Sequence, residues 1–438
     1  MTPLELGAAV ALATILVLLL GVPVAFALGG VAIAALAWFE GADGLDRVAD
    51  TFLWALEDTA LVAVPLFVLM GVAASLSPAA GDLRELLKRW LHKMPGGLIV
   101  ANLGASMLFS GLSSTGSATC MAVGRDGLPE LRERRYPDGV AAGAIAAGGT
   151  LGILIPPSLT MIVYGIAADL DIGRLFLAGL LPGVMLTGLF VAWSLMAARR
   201  WRGRYGDFAR GYSKDERWAI LPKVLPFMAI IAGVLYALWT GIARPFEAAA
   251  VAAVVCLIFV ALIYGMWRAT AQWRILREAT REAAAVLIVI AAAALFGHML
   301  AHFGVTQAVE RTVFDLDLRG WELMLAINLY LLIAGLFLPA VAVILMSVPV
   351  LVPIVTGAGF DPYWFAVVMT VNLQIGLITP PLGLNLYIVQ ALAPDMPLRA
   401  ILKGALPFIL CIAYGIVALY FYPEIATWLP DRLMGPHA

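Results

Sequence analysis

The chain has 438 residues, of which 62% are hydrophobic and 13% charged, with a formal net charge of −1. That composition excludes a soluble globular domain, and the near-neutral charge argues against nucleic acid as a partner. Apolar stretches of about 20 residues, enough to cross a bilayer, recur along the whole sequence, so the fold class is an all-α polytopic membrane protein.

Residues 4–38 are too long for one span and are broken at Gly21-Val22-Pro23, which predicts two helices. The N-terminal stretch carries no basic residues and reads as a first membrane helix, not a cleaved signal. Residues 40–53 are acidic and read as a loop, followed by a span over 54–76. Arg84, Lys88, Arg89 and Lys93 then lie on a short amphipathic interfacial piece. Residues 95–128 are apolar but broken near Ser113–Ser117. Each arm is too short for a hydrocarbon core about 30 Å thick, and both flanks are basic, which predicts a re-entrant hairpin. Residues 139–168 read as a spanning helix broken at Gly148-Gly149 and Pro156-Pro157, and 175–197 as a return span. A basic cytoplasmic linker, 199–223, follows. The second half repeats the plan, with spans at 224–241, 242–265 and 284–303, a hairpin at 321–357, a broken helix at 362–391 and a last span at 404–422.

The two halves align without a gap at an offset of 224 positions. Gly111 falls on Gly335, Pro129 on Pro353, Gly152 on Gly376 and Pro156-Pro157 on Pro380-Pro381. Matched helix breakers in two apolar halves are the best sequence pointer to a transport site. Segments expected inside hold 22 Lys or Arg and those expected outside hold 6, which places both termini outside and orients the halves oppositely. The expected organisation is a first inverted repeat at 1–198, the linker 199–223 and a second inverted repeat at 224–438. Each repeat carries a re-entrant helical hairpin and a broken transmembrane helix, an elevator-type transporter fold.

Hairpin tips beside unwound helices offer free backbone carbonyls and N–H groups, tolerated at membrane depth only around a buried site or cavity. Ser113, Ser114, Thr115 and Ser117 supply hydroxyls at the first tip, and Thr150 faces them. At the second tip, Phe337, Leu338 and Pro339 leave backbone oxygens, with Thr379 and Gln374 adding side-chain oxygens. The acids Glu57, Asp58, Asp126, Asp138, Glu247, Glu282, Glu322 and Asp361 are read at span ends, away from the tips, which favours Na⁺ over protons as the coupling ion. His298 and His302, an i,i+4 pair, fit packing, a proton relay or half a metal site. Arg125-Asp126 reads as a local ion pair, Glu247 as a first-turn carboxylate on the helix dipole, and Trp38, Trp54 and Trp201 as interface anchors. Cys120, Cys256 and Cys411 lie in apolar segments with no metal or disulfide spacing and read as packing. No nucleophile–base pair marks an enzyme. A proton-coupled or exchange-type organic-anion carrier of related design remains the alternative.

These motifs resemble the large membrane subunit of TRAP transporters, the tripartite ATP-independent periplasmic carriers. The resemblance covers essentially the whole chain and is carried by Ala101–Gly124, Gly148–Gly165, Gly241–Val251 and Val371–Leu386. It implies a Na⁺-driven, elevator-type secondary transporter of small organic acids in the bacterial inner membrane. It also implies a small four-helix membrane subunit and a periplasmic substrate-binding protein as partners. Carried over, one Na⁺ site involves Ser113, Ser114, Thr115, Ser117, Thr150 and Gly152. The other involves Gly335, Phe337, Pro339, Gly376 and Thr379. The substrate would lie between the tips, near Ser114, Gly116, Thr150, Pro156, Asn372, Gln374 and Pro380. The sequence departs from the family pattern at Ala118-Thr119-Cys120, where many relatives carry an Asp, and at Leu151-Gly152-Ile153-Leu154, where Ile-Gly-Pro-Ile is frequent.

Overall fold

The computed structural model describes residues 1–57, 59–200 and 211–436. The first half runs through α1 (Pro3–Leu19), α2 (Val24–Glu40), α3 (Ala42–Glu57), a 3₁₀ turn at Thr59–Val62, α4 (Ala63–Leu76) and α5 (Ala79–Leu91). It continues as α6 (Gly97–Ser113), α7 (Gly116–Glu133), α8 (Asp138–Thr150), α9 (Leu159–Ala168) and α10 (Ile172–Arg200). A short α11 (Lys214–Trp218) leads to α12 (Leu221–Trp239), α13 (Pro245–Tyr264), α14 (Ala269–His302) and α15 (Val305–Asp315). The chain ends with α16 (Gly320–Phe337), α17 (Ala340–Gly357), α18 (Pro362–Leu377), α19 (Leu384–Leu392), α20 (Leu398–Phe421) and α21 (Glu424–Met434). No strand occurs among the described residues, and eight of the helical stretches are long and apolar enough to cross a membrane.

The internal repeat recurs in the helix bounds. Moved by 224 positions, the hairpin arm α7 falls on the bounds of α17, and the breaks after α8 and α18 coincide in the two halves. Both Pro-Pro pairs, Pro156-Pro157 and Pro380-Pro381, are cis. The helix starts follow ordinary capping chemistry. Glu247 Oε2 accepts from the Arg244 N–H at 2.8 Å, Glu322 Oε2 from Arg319 at 2.9 Å and Asp361 Oδ1 from Trp364 at 2.8 Å. These terminal acids satisfy first-turn donors and complement the helix dipole.

The helices sort into two bundles. In one, α2, α3 and α4 pack on α14, α2 packs on α3, and α13 packs on α4. In the other, the hairpin α6–α7 and the broken helix α8–α9 pack with the hairpin α16–α17, the broken helix α18–α19, α10 and α20. Within this second bundle α8 and α20 cross so closely that a Cβ on Gly143 would lie 2.1 Å from the Gly404 carbonyl oxygen. The bundles meet where α4 touches α6 and where α14 touches α17.

Several expectations are corrected. Residues 40–53 are not a loop: α3 is a helix packed on α2 and α14. Its Val48, Phe52 and Ala55 recur at helical spacing on the half-buried side, while Asp43, Asp46 and Asp50 take the solvent side. The third span of the second half starts earlier than expected, at Ala269, and α15 and α21 are additional. Within the expected linker 199–223, α10 runs on to Arg200, α11 is helical and α12 begins at Leu221, while residues 201–210 lie outside the described residues, as do Asp58 and Trp201. Arg125 and Asp126 form no ion pair among the described residues; Asp126 Oδ2 instead lies against Gly81, because neighbours on a helix diverge by about 100°. Glu282 is not at a helix end but inside α14.

Candidate functional site

Each hairpin tip meets the break of its own repeat's broken helix. At the first tip, α6 ends at Ser113 and α7 restarts at Gly116. Ser114 takes the left-handed conformation, φ 58°, and caps α6 by donating its N–H to the Ser110 carbonyl at 3.1 Å. Thr115 caps α7, its hydroxyl accepting from the Ala118 N–H. The Ser114 carbonyl accepts from Leu159 N–H at 3.1 Å, which ties the tip to the start of α9. At the second tip the Leu336 carbonyl accepts from Leu382 N–H at 3.2 Å. One main-chain bond thus anchors each tip.

Two glycines let the backbones close. A Cβ on Gly152 would stand 2.4 Å from the Thr115 carbonyl oxygen and 2.7 Å from Thr119 Oγ1, and one on Gly376 would stand 2.1 Å from the Gly335 carbonyl oxygen. Around the first tip, Ser113 Oγ and Thr119 Oγ1 lie 2.5 Å apart, and the Thr115 carbonyl accepts from both hydroxyls at 3.3 and 3.0 Å. The Ser114 hydroxyl is fully buried with no hydrogen-bond partner. At the second tip the Thr379 hydroxyl is likewise buried and unpartnered. A buried hydroxyl without a partner costs about 1–3 kcal/mol, and each of these two oxygens can take a further partner. The electrostatics are paired as well. The C-terminal ends of α6 and α8 converge at the first tip and those of α16 and α18 at the second, where partial negative charge favours a cation. The N-terminal ends of α7 and α17 favour an anion.

The repeats touch on their axis. Thr150 Oγ1 lies 3.1 Å from Gln374 Oε1, and these two residues are themselves 224 positions apart. A residue that contacts its own repeat mate sits on the pseudo-two-fold axis. Thr150 Oγ1 also lies 2.7 Å from the Ala147 carbonyl, so its single proton cannot serve both oxygens. Gln374 is fully buried and its Nε2 has no partner; turning the amide over would leave Oε1 unpaired instead. In either orientation one amide atom on the axis is uncommitted.

The other candidates are placed as follows. Ser117 is half-buried on the first turn of α7. Gly116 lies against both broken helices, its Cβ position being 3.1 Å from the Gly149 carbonyl oxygen and from Leu377 Cδ1. The Pro156 carbonyl faces Gly111, and Pro380 is half-buried. Phe337 is 53% exposed and Pro339 is exposed, so the second tip is more open than the first. Asn372 Nδ2 donates to the carbonyl and side-chain oxygens of Asn328 on α16 at 3.0 and 2.9 Å, while its Oδ1 is buried without a partner. Thr119 and Asn385 were not anticipated. Asn385 Nδ2 donates to the Ala146 carbonyl at 2.9 Å, fastening α19 of one repeat to α8 of the other.

Two of the cavities along the tips' bundle reach α14. One, of about 340 Å³, runs from Ser113 and Thr115 to Arg274, Glu278 and Glu282 on α14. Acidic residues and one arginine therefore do reach the first tip's cavity, on a face of α14 that repeats every four residues. The other, about 590 Å³ and mostly apolar, lies between α14 and α17 and includes His298 and Glu57. His298 and His302 stack with ring centroids 6.1 Å apart. His302 pairs with Glu40 and lies 2.8 Å from an Arg47 nitrogen, and no group of three metal-binding side chains occurs among the described residues.

Residues 11–425 match the family described as tripartite ATP-independent periplasmic transporter, DctM component. The chain belongs to the DctM family. It is 34% identical to the C4-dicarboxylate TRAP transporter large permease protein DctM of Pseudomonas aeruginosa, over 86% of this chain and 87% of that one. It is 32% identical to the isethionate TRAP transporter permease protein DctMQ of Oleidesulfovibrio alaskensis, covering 94% of this chain and 64% of that protein. The sialic acid TRAP transporter large permease protein SiaM of Vibrio cholerae is 29% identical over 95% and 96% of the two chains. In fold, this DctM-family chain is similar to the Alcanivorax borkumensis YdaH transporter, with a TM-score of 0.68 at 17% identity over 90% and 91% of the chains. DctM relatives are transport permeases, so the chain is a transporter subunit and not an enzyme.

Proposed function

We propose that this chain is the translocating subunit of a Na⁺-driven importer of a small organic acid in the bacterial inner membrane. A periplasmic binding protein delivers the substrate and a small four-helix membrane subunit accompanies the chain. The observation that carries this proposal is the axial meeting of two glycine-closed, oxygen-rich tips at Thr150 and Gln374. The converging helix C-termini suit Na⁺ at the oxygens of Ser113, Ser114, Thr115 and Gly152, and at those of Gly335, Gly376 and Thr379. A carboxylate between the tips would take the uncommitted Gln374 amide and the nearby helix N-termini. The relatives named above carry C4-dicarboxylates, isethionate and sialic acid, all organic acids. Movement of the hairpin bundle past the bundle around α14 supplies alternating access of the elevator type, with Na⁺ favouring the loaded state.

The cavity that joins Glu282 and Glu278 to Ser113 supports a second reading, in which protons replace or accompany Na⁺. Uptake of succinate, isethionate and sialic acid into proteoliposomes, with the small subunit and binding protein present, separates the two. An inward Na⁺ gradient should drive at least one substrate, and choline should abolish that uptake. Uptake that follows a pH gradient without Na⁺ and disappears in Glu282→Gln would establish proton coupling instead. Gln374→Met should abolish uptake without lowering the ligand-free Tm, since it removes a buried amide atom that has no partner.

A further inference from the structure

Away from the tips, α5 and α11 form a contact that the transport chemistry does not use. Arg89 on α5 donates to the Glu216 carbonyl at 2.5 Å, and its guanidinium stands 5.8 Å from the Tyr212 ring centre. His92 lies edge-on to the same ring, with centroids 5.7 Å apart. His92 Nδ1 is 2.9 Å from the Arg89 carbonyl, so it carries the proton and leaves Nε2 to accept from Arg217 Nη2 at 3.4 Å. Arg217 Nη2 also donates to the Tyr212 carbonyl at 3.2 Å, while its Nε is buried without a partner. Arg89 has Glu85 as its counter-ion at 2.9 Å, but Arg217 has no carboxylate within ion-pair distance among the described residues. A half-buried guanidinium with no counter-ion among the described residues is an incomplete site, and a planar guanidinium suits a phosphate oxygen pair.

The surroundings identify the anion's carrier. Trp90 and Trp218 flank this point, 47% and 57% exposed, with ring centroids 5.4 Å apart in edge-to-face contact. Exposed tryptophans beside basic residues mark the headgroup level of a bilayer. Lys93 and Lys214, both exposed, lie one residue beyond His92 and three before Arg217. The basic excess of this region places it on the cytoplasmic face, where anionic lipids concentrate.

We propose that Arg217, with Trp90 and Trp218 beside it, binds the phosphate of an anionic phospholipid headgroup in the cytoplasmic leaflet. The headgroup would bridge α5, which packs on the hairpin arm α6, and α11, which leads into α12. Anionic lipid would then fasten the base of the first hairpin to the linker. The assignment does not depend on the coupling ion or the transported acid.

The test is hydrogen exchange on the full chain with its small membrane subunit, in nanodiscs of phosphatidylcholine alone or with phosphatidylglycerol. Phosphatidylglycerol should slow amide exchange in residues 88–94 and 211–218 several-fold, and Arg217→Gln should remove that protection. Arg277→Gln, which removes an exposed cation on α14, should keep it. Soluble sn-glycerol 3-phosphate should not substitute for the lipid. Equal exchange in both lipids would overturn the proposal, as would protection that survives in Arg217→Gln, which would mean a diffuse basic surface. Protection by glycerol 3-phosphate alone would mean a soluble-phosphate site and no lipid site.

Discussion

Gly376→Ala should cut the proposed Na⁺-driven uptake steeply while leaving a folded protein. The new methyl would sit 2.1 Å from the Gly335 carbonyl oxygen, a contact with backbone that no rotamer change relieves. Overpacking of this kind costs about 1–3 kcal/mol. If that strain falls on the closed tip alone, the ligand affinity it supports drops by roughly 5–150-fold. Gly152→Ala should act the same way through the Thr115 carbonyl, with the weaker effect that its 2.4 Å contact implies. Gly233→Ala is the control, because nothing lies within 4 Å of its Cβ position on α12. Uptake assays and Tm measurements on the three variants check this. Unchanged uptake in Gly376→Ala would show that close approach of tip and broken helix is not required.

The second large effect lies at the base of the first hairpin. Glu130 on α7 pairs with Arg84 and, at 2.6 Å, with Lys88, both on α5, while Glu85 holds Lys88 at 3.2 Å. Arg84 is buried and the other members keep little exposure. Burial alone would raise the Glu130 carboxyl, but hydrogen bonds and charge from Lys88 and Arg84 hold it below the usual range. Burial alone would lower Lys88, but Glu130 and Glu85 carry it above its usual value. Glu130→Gln strands Arg84 and leaves Lys88 with Glu85 alone, and should lower stability near neutral pH by about 2–3 kcal/mol, because some solvent screening remains. The depressed Glu130 contributes stability that is present above its unfolded value, about 4.3, and lost as pH falls through the lower folded value. The gap between wild type and variant should therefore close below about pH 4. Lys88 works at the other end, its contribution fading only as pH rises through its raised value. Unfolding curves across pH read both limbs.

What could be read in the chain follows from how local the signal is. The tips were legible because helix breakers at Gly111, Gly152 and Pro156-Pro157 recur at Gly335, Gly376 and Pro380-Pro381, and a repeat needs no structure to be seen. The helix α3 was missed because its aspartates suggested a loop, although Val48, Phe52 and Ala55 carry helical period. Glu282 was misplaced because the polar first third of α14 reads as an exposed segment before a span, when one helix runs through both. Thr119 and Asn385 escaped the repeat argument altogether. Their mates at the 224 offset are Val343 and Met161, so only tertiary contact reveals them. Asn372 and Gln374 stand two residues apart on α18 and meet different neighbours, Asn328 on α16 and Thr150 on α8.

The most direct measurement is thermal unfolding of the purified chain with its small subunit, in NaCl against choline chloride at equal ionic strength. A site at ten times its Kd adds about 1.4 kcal/mol. Saturable stabilisation by Na⁺ alone, lost when Ser114→Ala removes the buried unpartnered hydroxyl or when Ser113→Ala or Ser117→Ala removes its neighbours, is the expected result. Equal stabilisation by Na⁺ and choline, or a Na⁺ effect unchanged in all three variants, would contradict an ion site at the hairpin tip.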